Sequence, residues 1–297
     1  MRRAAVLGHP IAHSLSPVLH RAAYAALGLA GWEYDARDVP QDALEAFLAE
    51  IDPSWAGLSL TMPLKQTIIG HLDHIDPLAE VTGAVNTVLF QDVGGTRTLV
   101  GANTDVYGIV AALGEGSAVT DAAGGAGAVR DSSAAAPRTP VRSAVVLGAG
   151  ATAASALAAL AELGCPTVDV FVRSLGRTGD LQRAAHRMGV TPRFRVMDGA
   201  PAAMLAADVT VSTLPAHGAD ALADEIVGRG GAPHGILLDV AYEPRPTALA
   251  SVWTQLGGVS VPGERMLLHQ AAEQVRLMTG HPAPLDAMSD ALGLALR

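Results

Sequence analysis

Lysine is almost missing from this chain of 297 residues: Lys65 stands alone against 19 arginines. Arginine stays protonated, whereas a lysine amine readily gives up its proton in a closed site. A lone lysine therefore marks a candidate for proton transfer, a task arginine cannot perform. A lysine-poor composition must also leave its last lysine somewhere. The surrounding hydroxyl-bearing run, Ser59-Leu60-Thr61-Met62-Pro63-Leu64-Lys65, favours chemistry over chance.

Cysteine is equally scarce. Cys165 alone excludes an internal disulfide framework and fits a reducing compartment. It lies between a helix stop and Pro166 and reads as a small packing residue. Aromatics make up only 4% of the chain, while apolar residues make up 49%, carried largely by Ala, Val and Leu. That balance suits α/β layers better than an all-β sandwich. Positive charge is short too: a net charge of −9 gives no basic footprint for nucleic acid. Charges and glycines interrupt every apolar run before membrane-spanning length. The run after Met1-Arg2-Arg3 ends at Gly8-His9-Pro10, too early for a signal peptide. These absences predict a soluble cytoplasmic protein with neither a membrane nor a nucleic-acid partner.

What is present is an alternation of strand and helix signals. Strands are expected at 4–8, 32–39 and 57–60. Ser16 and Pro17 form an N-cap and first-turn proline for a helix to about Leu27, stopped by Gly28. A second helix follows Pro40, with Leu44, Phe47, Leu48 and Ile51 on one face. Segments 85–90 and 98–101 flank Gly94-Gly95 as a hairpin, and a helix starts near Asp105. Residues 114–143 are almost entirely Ala, Gly, Ser and Pro with scattered charge, and read as a flexible insertion. A strand at 144–147, a glycine turn, an Ala-rich helix to Leu163 and a strand at 167–172 then form a βαβ unit. More strands are expected at 208–212 and 236–240, and helices from Glu264 to the end. The predicted organisation is a domain at 1–113 completed by 264–297, the insertion at 114–143, and a Rossmann-type domain at 144–263.

Gly148-x-Gly150-x-x-Ala153 fits the dinucleotide-binding loop, with strand and helix correctly placed around it. The first glycine permits the turn, the second lets backbone approach a pyrophosphate, and the helix N-terminus offers free N–H groups. An NAD enzyme commonly places an acidic residue at the end of the second strand. Here Arg173-Ser174 and Arg177 stand there instead, a set suited to a 2′-phosphate, and NADP(H) is the predicted cofactor. Asp169, inside the strand, is a poorer ribose partner.

Four polar clusters lie where strands meet loops in the first part: Ser14-x-Ser16, Ser59-x-Thr61-x-x-x-Lys65, Asn86-Thr87 and Asn103-Thr104-Asp105. Hydroxyls and amides of this kind recognise a polyhydroxylated small molecule, and Lys65 with Asp105 could form a proton-transfer pair. Each residue is also a credible cap or turn residue, so the combination carries the argument. His71 and His74, three apart on an expected helix, are read as a solvated face. No metal is expected.

In this order, Gly8-x-Pro10-Ile11-x-His13-Ser14-x-Ser16-Pro17, Ser59–Lys65, Ala84-Val85-Asn86-Thr87, Asn103-Thr104-Asp105, the glycine loop and Met266-Leu267-Leu268-His269-Gln270 resemble the shikimate dehydrogenase family. The resemblance covers nearly the whole chain apart from 114–143. It implies two α/β domains around a cleft, reversible NADPH-dependent reduction of 3-dehydroshikimate to shikimate, and a monomer or homodimer. By the same resemblance, Ser14 and Ser16 take the substrate carboxylate and Tyr242 assists, a structural hydrogen bond being the equal alternative for its phenol. Thr61, Asn86, Asp105 and Gln270 take the ring hydroxyls, Ser59 binds substrate through a shorter or water-mediated hydroxyl contact, and Lys65 is the acid/base. Gly148, Ala149, Gly150 and Ala151 surround the pyrophosphate, with Arg173, Ser174 and Arg177 at the 2′-phosphate. Thr213 and Met266 fall on the nicotinamide side, and Gly263 is a further cofactor contact. The chain departs from the family's habit at Ser59 (commonly Asn), at Val172 (commonly Asn) and at the charged Glu264-Arg265. Two other functions share the motifs: an NAD-preferring quinate/shikimate dehydrogenase, and a regulatory homologue that binds ligand and nucleotide without turnover.

Overall fold

The computed structural model describes residues 1–123 and 141–297. In chain order its first elements are β1 (Arg2–Gly8), α1 (Ser16–Ala26), β2 (Trp32–Asp38), α2 (Leu44–Ala49), β3 (Trp55–Leu60) and α3 (Leu64–Thr67). Then come β4 (His74–Ile75), α4 (Pro77–Thr82), β5 (Thr87–Val93), β6 (Thr96–Ala102) and α5 (Asp105–Ala123). The glycine-loop half contains β7 (Ala144–Leu147), α6 (Ala151–Glu162), β8 (Val168–Val172), α7 (Gly179–Arg187), β9 (Arg193–Val196), α8 (Ala200–Ala206) and β10 (Val209–Ser212). It continues through α9 (Asp220–Arg229), β11 (Ile236–Asp239), α10 (Ala248–Gln255) and β12 (Val259–Pro262), and the chain ends with α11 (Gly263–Thr279) and α12 (Leu285–Ala295). Two compact units result, Met1–Asp105 with Leu267–Arg297, and Val106–Met266.

The first unit holds a six-stranded mixed sheet in the order β2-β1-β3-β5-β6-β4. β1 runs parallel to β2 and β3, while β5 is antiparallel to both β3 and β6. β1 is apolar on both faces because both are covered. Ala5 and Leu7 join Leu58, Leu64 and Val88 in one core, and Ala4 and Val6 pack with Tyr24, Tyr34 and Met278 in another. A third cluster joins α1 to the C-terminal helices through Leu19, Leu268, Val275 and Met288.

The second unit holds an all-parallel sheet in the order β12-β11-β10-β7-β8-β9. Counted within the unit this is the 3-2-1-4-5-6 winding of a dinucleotide-binding fold, whose order reverses between β7 and β10. Phe171, Met204, Leu237 and Trp253 centre one face of its core.

Three expectations shift. Residues 114–123, predicted to lack structure, complete helix α5; residues 124–140 lie outside the described residues. One of the glycines that argued against a helix there, Gly116, serves close packing. A Cβ at Gly116 would stand 2.7 Å from a methyl of Val261 and 2.9 Å from one of Ile236. Glu115 forms a two-armed ion pair with Arg265, at 2.6 and 2.7 Å. Tertiary contact outweighs the glycine penalty, which is about 1 kcal/mol per residue. His71 and His74 do not share a helix: His71 closes a 3₁₀ turn and His74 opens β4. Finally, Ser16 is the first residue of α1 rather than its cap, and the Ser14 hydroxyl accepts its N–H at 3.4 Å.

Candidate active site

Strand direction explains why the polar clusters of the first unit meet. β1 and β3 run together, so the loops after Gly8 and Leu60 leave the same edge of the sheet. Because β5 is antiparallel to β3, with Thr87 opposite Ser59, the residue before it, Asn86, arrives at that edge too. β6 reverses again, with Ala102 opposite Thr87, and delivers Asn103-Thr104-Asp105. Ligands bind at such carboxyl edges in open α/β sheets.

Lys65 Nζ donates to Asp105 Oδ2 at 2.5 Å, with the lysine side chain 14% exposed and the aspartate 5%. Short helix α3 holds the lysine: Leu64 is fully buried, and the Lys65 carbonyl accepts the Val85 N–H at 2.8 Å. Asn86 Nδ2 donates to the other carboxylate oxygen of Asp105 at 2.8 Å and to Thr104 Oγ1 at 2.9 Å, with Gln270 Oε1 at 3.2 Å. Asn86 Oδ1 accepts from the Thr104 N–H at 2.8 Å. Asn103 accepts the Asp105 N–H at 3.0 Å, which starts α5 with its carboxylate fixed. Lys65, Asp105, Asn86 and Gln270 thus form one cluster, in which a partly exposed ammonium is held by an almost fully buried carboxylate. An ammonium so held can give and take a proton at the edge of the sheet.

Other expected substrate contacts divide. Ser14 and Thr61 lie in the loops after β1 and β3, half-buried, and Ser16 is buried at the start of α1. Ser59 has a different setting from the one expected. It is 3% exposed, accepts from Tyr34 OH at 2.7 Å and donates to Gln274 Oε1 at 2.7 Å. Its hydroxyl is committed inside the unit, because position 59 falls on β3 itself. Tyr242 belongs to the second unit, in the loop after β11, where burial pushes its phenol up. That loop is braced by Asp239, a 3% exposed carboxyl raised by burial, which accepts from Thr247 Oγ1 at 2.7 Å.

The sequence reading missed Tyr34 and Gln274. Gln274 lies four residues after Gln270, one turn along the same helix face, and that spacing was the available signal. Nothing local marks Tyr34, whose partner is 25 residues away.

In the second unit, Gly148 follows β7 with φ +108°, where a side chain would be strained. A Cβ there would also meet Thr213 Oγ1 at 2.6 Å, and that hydroxyl donates to the Leu147 carbonyl at 2.7 Å. Gly148 and Thr213 therefore sit together where the strand order reverses. Gly150 precedes α6 in open space, where a Cβ would find no atom within 4 Å, and no side chain caps the helix. Ala149 and Ala151 lie half-buried on either side. Arg173, Ser174 and Arg177 are exposed just beyond β8, and neither guanidinium pairs with an acidic group among the described residues. Asp169 is taken by Arg193 through both oxygens, at 2.9 Å each, and by Arg195 at 2.8 Å. An uncapped helix start, open space beside it and two unpaired arginines fit a dinucleotide carrying a 2′-phosphate. At Gly263 a Cβ would stand 2.4 Å from the Val240 carbonyl oxygen, so close packing requires glycine there. Met266 is 6% exposed within α11.

Residues 6–88 match the model of the shikimate dehydrogenase substrate binding domain, and 263–292 that of the shikimate 5′-dehydrogenase C-terminal domain. The chain is 36% identical over 297 residues to a shikimate dehydrogenase (NADP(+)) of Thermus thermophilus, covering 100% of this chain and 99% of the relative. A shikimate dehydrogenase (NADP(+)) of Rubrobacter xylanophilus is 33% identical, over 97% of this chain and 94% of its own. Among solved structures, the shikimate dehydrogenase of Mycobacterium tuberculosis superposes with a TM-score of 0.82 at 36% identity, covering 99% of this chain and 100% of its own. Shikimate 5-dehydrogenase of Thermus thermophilus in complex with NADP(H) and shikimate gives 0.76 at 32% identity, covering 99% and 100%.

Proposed function

The chain belongs to the shikimate dehydrogenase family, and from that premise we propose that it reduces 3-dehydroshikimate to shikimate with NADPH, reversibly. The observation that carries the reading is the Lys65–Asp105 pair, with Asn86 and Gln270 on the same cluster. NADPH held by the second unit would supply the hydride for the new C–H bond. Lys65 Nζ gives its proton to the carbonyl oxygen as negative charge develops there, so the ketone leaves as an alcohol. Asp105 keeps the ammonium aimed and stabilises it between turnovers. The 14% exposure of the Lys65 side chain leaves a route for the proton to return from solvent. Asn86, Gln270 and Thr61 orient the ring through its hydroxyls, and Ser14 and Ser16 take the carboxylate. Gly148, Ala149, Gly150 and Ala151 would hold the pyrophosphate through backbone, and Arg173, Ser174 and Arg177 the 2′-phosphate.

No helix among the described residues is long and apolar enough to cross a membrane. Its single, buried cysteine supports a cytosolic setting, and a monomer or homodimer is the assembly we assign. Initial rates with shikimate or quinate, each with NADP or NAD, test the proposal. Turnover concentrated on shikimate with NADP is expected. A preference for quinate or NAD, or silence in folded protein that still binds nucleotide, would overturn it.

A further inference from the structure

Behind the Lys65–Asp105 cluster lies a line of polar side chains to which the mechanism gives no task. Tyr34 is 1% exposed, Ser59 3%, Gln274 1% and Thr87 0%, and together they join strands β2, β3 and β5 to helix α11. Polar groups this deep are costly unless satisfied. Here they satisfy one another, with a single direction of donation.

Tyr34 OH donates to Ser59 Oγ at 2.7 Å, so the Ser59 hydrogen is free to go to Gln274 Oε1, also at 2.7 Å. With its oxygen turned to Ser59, Gln274 must aim its amide nitrogen the other way. Nε2 donates to the Asn86 carbonyl at 3.2 Å and to Thr87 Oγ1 at 3.1 Å. Thr87, having accepted, passes its own hydrogen to Asn86 Oδ1 at 2.9 Å. The Thr104 N–H holds the same oxygen from another side. Asn86 is thereby left with its NH2 facing Asp105 Oδ1. A flipped amide would set oxygen against carboxylate and a donor against the Thr104 N–H.

The tyrosine that starts the line is itself fixed. Its ring stacks on His20 at 3.8 Å between centroids and 14° between planes. Burial pushes its phenol far up, so it remains a donor.

We propose that Gln274 is a positioning residue for the reaction: the line Tyr34–Ser59–Gln274–Thr87 sets the orientation of the Asn86 amide, and so holds Asp105 where it aims Lys65. Gln274 also ties the start of β5 to the helix that carries Gln270, so the two amides of the site share one brace. This rests on the reading of Lys65 and Asp105 as the proton-transfer pair.

The test is steady-state kinetics with shikimate and NADP on the full chain, for wild type, Gln274→Met, Thr87→Val, Thr87→Ser, and the double variant Gln274→Met/Thr87→Val. Gln274→Met and Thr87→Val should each lower kcat about ten- to a hundredfold, the worth of one hydrogen bond feeding a charged group. KM for NADP should stay at the wild-type value, since the nucleotide residues belong to the other unit. Thr87→Ser, which restores the hydroxyl, should recover the loss of Thr87→Val. The double variant should be no worse than the poorer single one, because both break the same line. Wild-type kcat in folded Gln274→Met, or simple additivity in the double variant, overturns the proposal. If Gln274→Met does not fold, the Thr87 pair decides: equal activity of the valine and serine variants overturns it. Lys65→Arg is assayed alongside. Full turnover in that variant would refute the proton-transfer reading itself, and the positioning role with it.

Discussion

Replacing His20 with asparagine should make the first unit less sensitive to acid. His20 is fully buried. Its Nδ1 lies 3.0 Å from the Ser16 carbonyl, which can only accept, so Nδ1 carries the hydrogen and the neutral ring leaves Nε2 without a partner. Burial lowers its pKa from 6.5 to about 4. The folded value lies below the unfolded one, so the unfolded chain takes up the proton first. Stability is therefore complete above about pH 6.5 and drains away as the pH falls towards 4. At about 1.4 kcal/mol per pH unit, that gap is worth about 3 kcal/mol in full and about 2.5 kcal/mol by pH 4.5. Asparagine keeps an N–H for the Ser16 carbonyl but cannot titrate. It also loses the stack on Tyr34, so its absolute stability falls at every pH, and the informative quantity is the change between pH values. Urea unfolding at pH 7.5 and 4.5, followed by near-ultraviolet circular dichroism, measures it. Carboxylates titrate in both proteins and cancel in the comparison. The variant should lose about 2.5 kcal/mol less than wild type on acidification. An equal loss in both would show that His20 is not held neutral, and would refute the argument.

Lys65→Arg keeps the charge beside Asp105 but removes an amine able to release its proton; turnover should fall about 10²- to 10⁴-fold, with nucleotide binding, read by fluorescence titration, unchanged. Changing Arg173 and Arg177 together to alanine should lower kcat/KM for NADP by about ten- to a hundredfold, the value of a charge-assisted hydrogen bond. The rate with NAD should stay the same; equal losses with both nucleotides would remove the 2′-phosphate assignment. Gly116→Val forces methyl groups against Val261 and Ile236 and should cost about 1–3 kcal/mol by overpacking. An unchanged melting temperature would mean that α5 is not seated on β11 and β12.

Local chemistry makes much of this molecule legible from the chain alone. Tight glycine turns and short continuous apolar runs act over a few residues, so β1, β7, β8 and α6 can be read directly. The glycine loop and the arginines after β8 are legible for the same reason: strand, turn and helix are neighbours in sequence. Helix α5 is misread because its glycines are unfavourable locally, and the benefit of Gly116 is a close approach to strands more than a hundred residues away.

The site follows the same division. By itself, the sequence determined which side chains could do the chemistry: one lysine, a late aspartate, and clustered amides and hydroxyls at strand ends. The tertiary structure alone decided which of them meet. Antiparallel β5 and β6 bring Asn86 and Asp105 to the edge where Lys65 waits, 40 residues away from its carboxylate. The same register turns Ser59 inward to Tyr34 and Gln274. A hydroxyl at a strand end looks alike in sequence whether it faces a ligand or a core. Only the face of the sheet on which it falls, and the helix packed against that face, separate the two.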